Sequence, residues 1–143
     1  MMKKGIIIIL IAVMLGGGFA YYLFNNIVVK EKDTDKTMVN AFQVGAFTSY
    51  DNAVRVAERD NGIVVKDEDI FRVYVAILYD KEAVNKLGDY YNKIGLNYYL
   101  KPIYVSNSFI EEIKDNEELL KVSSTETYVT INSDVLSKYE EML

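Results

Sequence analysis

Apolar and polar positions alternate along residues 39–47 and again along 70–78, and each alternating run gives way to apolar residues spaced three and four apart. The first spacing is that of a half-buried strand and the second that of an amphipathic helix. Residues 39–47 therefore read as a strand, with Val39, Ala41, Gln43, Gly45 and Phe47 on one side and Asn40, Phe42, Val44 and Ala46 on the other. Thr48 and Ser49 supply hydroxyls for an N-cap, Ala53, Val56 and Ala57 recur at helical spacing through Asp60, and Asn61-Gly62 offers the left-handed backbone that ends a helix. A short strand at 63–65, a charged turn at 66–69 and a longer strand at 70–78 make a hairpin. In the longer strand Phe71, Val73, Val75 and Ile77 alternate against Arg72, Tyr74 and Ala76. Asp80 caps the next helix, whose stripe is Ala83, Val84, Leu87, Tyr91 and Ile94 and whose stop is Gly95. The last strand is 97–105, and Pro102 within it lacks a ladder donor, which suits an edge or a bulge.

The order βαββαβ predicts an α+β domain over residues 39–105. One antiparallel sheet carries two helices on one face and leaves the other face open, in a ferredoxin-like or RNP-like arrangement. A weak internal repeat agrees: a strand, a cap and Asn-Ala-Val at 52–54 correspond to a strand, a cap and Glu-Ala-Val at 82–84. Residues 106–143 form a C-terminal extension expected to hold two helices. The first is capped within 106–108 and carries Ile110, Ile113, Glu117 and Leu120; the second includes Val135, Leu136, Tyr139 and Met142. Residues 125–131 fit a strand or the start of that second helix.

Ahead of the domain, residues 5–24 hold no charge and are dominated by Ile, Leu, Val, Ala, Phe and Tyr. As a helix this stretch would run roughly 30 Å, the thickness of a bilayer's hydrocarbon core. Lys3 and Lys4 precede it and a mixed-sign run follows, so a cytoplasmic N-terminus (residues 1–4) and an extracytoplasmic domain are expected, in a single-pass protein of the cell membrane. A cleaved signal peptide is the competing reading, with Gly18 and Ala20 at cleavage spacing, and it too places residues 40–143 outside the cytoplasm. Residues 25–38 read as a short charged linker.

Composition narrows the function classes. The 143 residues carry a formal net charge of -5, which argues against nucleic acid as a partner, since phosphate binding draws on clustered Lys and Arg. With no cysteine and no histidine, the chain has no disulfide framework and lacks the commonest metal ligand and general base, and no cofactor is expected. Carboxylates are plentiful, yet Asp67, Glu68 and Asp69 share a turn, and Glu111, Glu112, Glu117 and Glu118 read as a helix surface. Neither cluster forms the pair across a cleft that glycosidase chemistry needs, so no enzyme is expected.

The ordered motifs resemble those of the SPOR (sporulation-related) domain family. They are Gln43-Val44-Gly45-Ala46-Phe47, Ala53, Gly62, Arg72-Val73-Tyr74-Val75, Ala83 and Gly95. The resemblance covers residues 39–105 and departs from the family at Ala76-Ile77-Leu78, where a Gly-Pro-Phe is usual. It implies a bacterial, non-catalytic, peptidoglycan-binding module of cell division or sporulation, with glycan strands lying across the open sheet face. The aligned positions are Gln43, Ala46, Ile70, Arg72 and Leu100, and Ile70 stands where many members place an aromatic. Strand alternation adds Tyr74 and Tyr98 to that face, while Arg72 supplies a planar fork of donors and Gln43 both a donor and an acceptor. Two rivals share the pattern. An RNA-recognition fold has the same element order, and an assembly module would bind division or sporulation proteins without glycan.

Overall fold

In the computed structural model residues 35–143 are described; the expected span at 5–24, its flanking lysines and most of the linker lie outside the described residues. Strand β1 (Lys36–Phe47) leads through helix α1 (Tyr50–Asp60) to the hairpin of β2 (Ile63–Asp67) and β3 (Ile70–Leu78), and α2 (Lys81–Ile94) returns to β4 (Tyr99–Ser106). Helix α3 (Asn107–Val122), a 3-10 turn at Thr125–Thr127 and helix α4 (Tyr128–Glu140) complete the chain. The described residues form an α+β architecture of one four-stranded sheet and four α-helices.

Local chemistry places the helix ends. Ser49 accepts a hydrogen bond from the Asn52 N–H, Asp80 from Ala83 and Ser106 from Phe109, each N-cap holding an extended backbone. Asn61 takes the left-handed conformation that stops α1 (φ 57°), and Gly95 does so for α2 (φ 74°). Gly62 has a different task from the one its place beside Asn61 suggests: a Cβ there would lie 2.6 Å from the Tyr74 carbonyl oxygen. Its bare backbone lets the chain pass β3 closely.

Several strand boundaries move from their expected places. β1 starts at Lys36, inside the expected linker, because Lys36, Thr37 and Met38 pair with Ser106, Val105 and Tyr104. β2 runs on to Asp67, which pairs with Ile70 across a two-residue turn where Glu68 takes φ 55°. β4 starts at Tyr99 rather than at 97. The sheet order is β2-β3-β1-β4 with every neighbouring pair antiparallel, so Pro102 does lie in an edge strand.

Bulges change which side chains share a face. Gln43 pairs with Tyr74 while Phe42 pairs with Ala76, and Gly45 pairs with Val73, so Val75 and Val44 are both left out of the ladder. Each extra residue flips the alternation beyond it. Ile77 therefore shares a face with Tyr74 rather than with Val75, and Ala46 joins Gln43 rather than Val44. Strict alternation would have separated both pairs.

Helices α1 and α2 cover the first face. Ala53 and Ala57 of α1 pack with Val73, Val44, Phe47 and Phe71, and Ala83, Val84, Leu87 and Tyr91 of α2 pack with Phe42, Ala76 and Leu78. The second face, expected to be open, is largely closed. Phe109 and Ile113 of α3 and Val135 and Leu136 of α4 pack onto Val39, Ala41, Tyr74, Ile77, Val65 and Val105. Residues 128–131 belong to α4, and Tyr128 and Ile131 join the α2 cluster together with Val75 and Leu120. β2 pairing stops at Tyr74, so α4 packs against the stretch of β3 that β2 leaves unpaired.

Glu117 corrects a further expectation. It is 3% exposed rather than on a helix surface, and its Oε2 accepts the backbone N–H groups of Tyr79, at 3.0 Å, and Asp80, at 2.5 Å. These groups lead into α2, where the helix dipole also favours a negative charge. Burial pushes the Glu117 carboxyl above its ordinary range against the pull of those two donors. Lys121 reaches Asp80 at 3.3 Å, and the Lys86 ammonium donates to the Lys121 carbonyl. The C-terminal hairpin is thereby latched to the start of α2.

Candidate functional site

The helices α3 and α4 leave one end of the second face uncovered, and Gln43, Ala46, Ile70 and Arg72 come together there. Ala46 pairs with Arg72 and Gln43 with Tyr74, so the bulge at Val44 aligns the glutamine and the alanine on the arginine's side. Ile70 is exposed at the start of β3, on the same face as Arg72 two residues on.

Arg72 is held in place. Its Nε donates to Asp67 Oδ2 at 2.8 Å and its Nη1 to Gln43 Oε1 at 3.2 Å. The acid that pairs with it is Asp67, at the end of β2. Because Asp67 is half exposed, this pair adds little to stability. Its effect is to fix the plane of the guanidinium. The remaining Arg72 N–H groups and the Gln43 amide nitrogen are donors for hydroxyl or carbonyl oxygens of a ligand.

Three of the expected site residues stand elsewhere. Tyr74 is 2% exposed beneath α3 and α4, and burial, with the Tyr139 hydroxyl nearby, pushes its phenol up to about 12. Tyr98 lies on the opposite side of the sheet, its ring 5.0 Å from Phe42 and 5.9 Å from Tyr91. It precedes β4, and its hydroxyl sits 2.6 Å from where a Cβ on Gly88 would be. Leu100 pairs with Phe42 and therefore also points to the α1–α2 side. Tyr74 and Tyr98 do not share a surface.

Two residues that sequence reasoning passed over complete the patch. Tyr99 pairs with Gln43 and so shares its face, and it is 62% exposed. It offers the ring that Ile70 lacks, two strands across the sheet from it. Asp67 is the other. The signal for Tyr99 was the register of β4 against β1, which a start at 97 without a paired partner does not supply.

Among the described residues no helix is long and apolar enough to cross a membrane, and no group of three or more acidic, His or Cys side chains is placed to hold a metal ion. Compared with known proteins, the chain matches no family model, no curated protein and no solved structure.

Proposed function

We propose that this chain is a bacterial, membrane-anchored, non-catalytic binder of peptidoglycan glycan strands, its sheet domain held outside the cytoplasm by the uncharged stretch at 5–24 and serving division or sporulation. In support, the strand order β2-β3-β1-β4 of a βαββαβ chain is the one a split βαβ, ferredoxin-like fold would have. The observation that carries the reading is the oriented fork of Arg72 and Gln43 beside the exposed Tyr99 ring, on a sheet end that the C-terminal helices leave free. Sugars are bound by planar hydrogen-bonding groups combined with aromatic faces.

The test is co-sedimentation of the full-length protein in detergent micelles with purified sacculi. Pelleting should exceed that of a control membrane protein and rise after an amidase has stripped the stem peptides. Changing Gln43 and Arg72 together to Ala should lower the pelleted fraction severalfold without unfolding. Equal pelleting of the variant and the parent would move the site elsewhere, and no pelleting above control would end the proposal.

A second reading has its own support. The closed half of the face is occupied by the chain's own helices, and Met38 and Tyr104, paired neighbours on β1 and β4, are 51% and 70% exposed. An assembly module binding division or sporulation proteins through that strip needs no glycan. Retained septal or forespore recruitment of the Gln43 and Arg72 double variant would favour it.

A further inference from the structure

Between the end of α1, the second half of α2 and the start of α4 lies a cleft of about 240 Å³, on the far side of the sheet from the Arg72 patch. Val75, Tyr90, Ile94, Leu96 and Val129 give it apolar and aromatic walls. Two polar groups stand inside: Tyr91, 7% exposed, and Asn132, 4% exposed. The Asn132 amide nitrogen donates to the Tyr91 hydroxyl at 3.4 Å, while its Oδ1 has no partner among the described residues. A buried carbonyl oxygen left unpaired is costly, and it calls for a donor, an ordered water or the N–H of a ligand that displaces it. At the rim, Arg59 and Asp60 bind each other at 2.9 and 3.0 Å and neutralise one another's charge.

These groups select among ligands by elementary chemistry. A carboxylate would place like partial charges against Asn132 Oδ1, and an ammonium would lose its water for a single acceptor. A neutral secondary amide satisfies the site: its N–H donates to Asn132 Oδ1, its carbonyl accepts the Tyr91 O–H, and a methyl on the carbonyl meets the apolar wall. With the Asn132 amide turned over, its oxygen accepting from Tyr91 and its nitrogen unpaired, the ligand carbonyl accepts from that nitrogen instead. The volume is below that of ordinary drug-sized pockets and matches one small unit.

We infer that this cleft binds the acetamido group of a single N-acetylated amino sugar, through Asn132 and Tyr91. The choice of a sugar as the acetamide's carrier rests on the glycan-binding reading above; the choice of an acetamide rests on the cleft alone.

The experiment is a side-chain methyl and amide NMR titration of the full-length protein in detergent micelles with N-acetylglucosamine, glucosamine and glucose at millimolar concentrations. N-acetylglucosamine should shift the Asn132 side-chain amide and the Ile94, Leu96 and Val129 methyls, with glucose and glucosamine at least tenfold weaker. Asn132→Leu, which replaces the orphan amide with an apolar group, should abolish the shifts while the protein stays folded. Should that variant unfold, Val129→Trp fills the cleft from a position 45% exposed and should abolish them in its place. Absence of shifts in the parent protein overturns the inference, as do shifts that persist in the leucine or tryptophan variant. Equal shifts from N-methylacetamide and N-acetylglucosamine would keep the acetamide and reject the sugar, and stronger shifts from an N-acetylated peptide would assign the cleft to protein. The Gln43 and Arg72 double variant should keep the shifts even where it loses sacculi, so the two proposals fail separately.

Discussion

The two faces of the sheet are covered by different means. Under α1 and α2 lie two similar units, each a strand, a side-chain cap and a helix whose buried alanine, Ala53 or Ala83, lies against the strands at 0% exposure. The opposite face is closed by the later hairpin of α3 and α4, which packs larger side chains and leaves the Arg72 end bare. A repeated local pattern thus builds one half of the core. The other half depends on contacts between distant parts of the chain, and its extent decides how much of the sheet stays exposed.

The largest effects should come from the residues that close each face. Phe42→Ala and Phe109→Ala each remove a fully buried ring, and each should cost about 3–5 kcal/mol in chemical denaturation. Similar losses with a single transition would show one cooperative core. A loss under about 1 kcal/mol at Phe109 would reduce α3 and α4 to an appendage and return the face to its open form. Next in size is Glu117→Ala, which strips the acceptor from the Tyr79 and Asp80 N–H groups and should cost about 1–3 kcal/mol.

The same carboxylate carries a pH signature. Its folded pKa is raised, so its share of stability is complete below the ordinary glutamate value of 4.5 and is lost as pH rises through the folded value. Asp80 works in the opposite sense: held low chiefly by the Ala83 N–H and also by Lys121, it loses its share only as pH falls below the ordinary range. Glu117→Gln should therefore flatten the fall in stability above pH 4.5 and leave the acid limb unchanged. An unaltered profile would place the Glu117 carboxylate in water.

Smaller again is Glu68→Gly at the β2–β3 turn, where a non-glycine residue sits at φ 55°. Removing its Cβ should raise stability by about 1 kcal/mol, read as a higher denaturation midpoint. Tyr99→Ala should change stability by less than about 0.5 kcal/mol, as an exposed side chain on an edge strand, yet weaken sacculus pelleting. Undiminished pelleting would remove the ring from the proposed sugar surface.

Most of the elements were legible because their signals are local. The caps at Ser49, Asp80 and Ser106 and the stops at Asn61 and Gly95 are written in single residues beside periodic apolar runs. The β2–β3 hairpin followed from its short turn, and the edge position of Pro102 from its missing donor. What alternation could not show were the two bulges, since Val44 and Val75 look like any other strand valine. They put Ala46 beside Gln43 and Ile77 beside Tyr74, a rearrangement that exists only in the pairing of β1 with β3. Burial of Tyr74 was hidden for a related reason: the stripe of Ile113 and Leu136 says that a helix face needs covering, not what it will cover. Glu117 stood within the apolar spacing of its helix, and reading it as surface gave its charge too much weight against its position. The Arg72, Gln43 and Ala46 cluster was readable from motif order, whereas Tyr99 was readable only from register.

The borders of the sheet have a bearing on crowding. On one flank the outer strand carries Lys101 and Pro102, a charge and a missing donor, in the middle of its run. On the other, β2 is five residues long, and α4 packs against the stretch of β3 that β2 leaves unpaired. Neither flank offers a long, flat, hydrogen-bond-ready template to a neighbour. Copies brought close together can therefore be packed densely without their sheets fusing into a fibre, which keeps the Arg72 end of each sheet exposed.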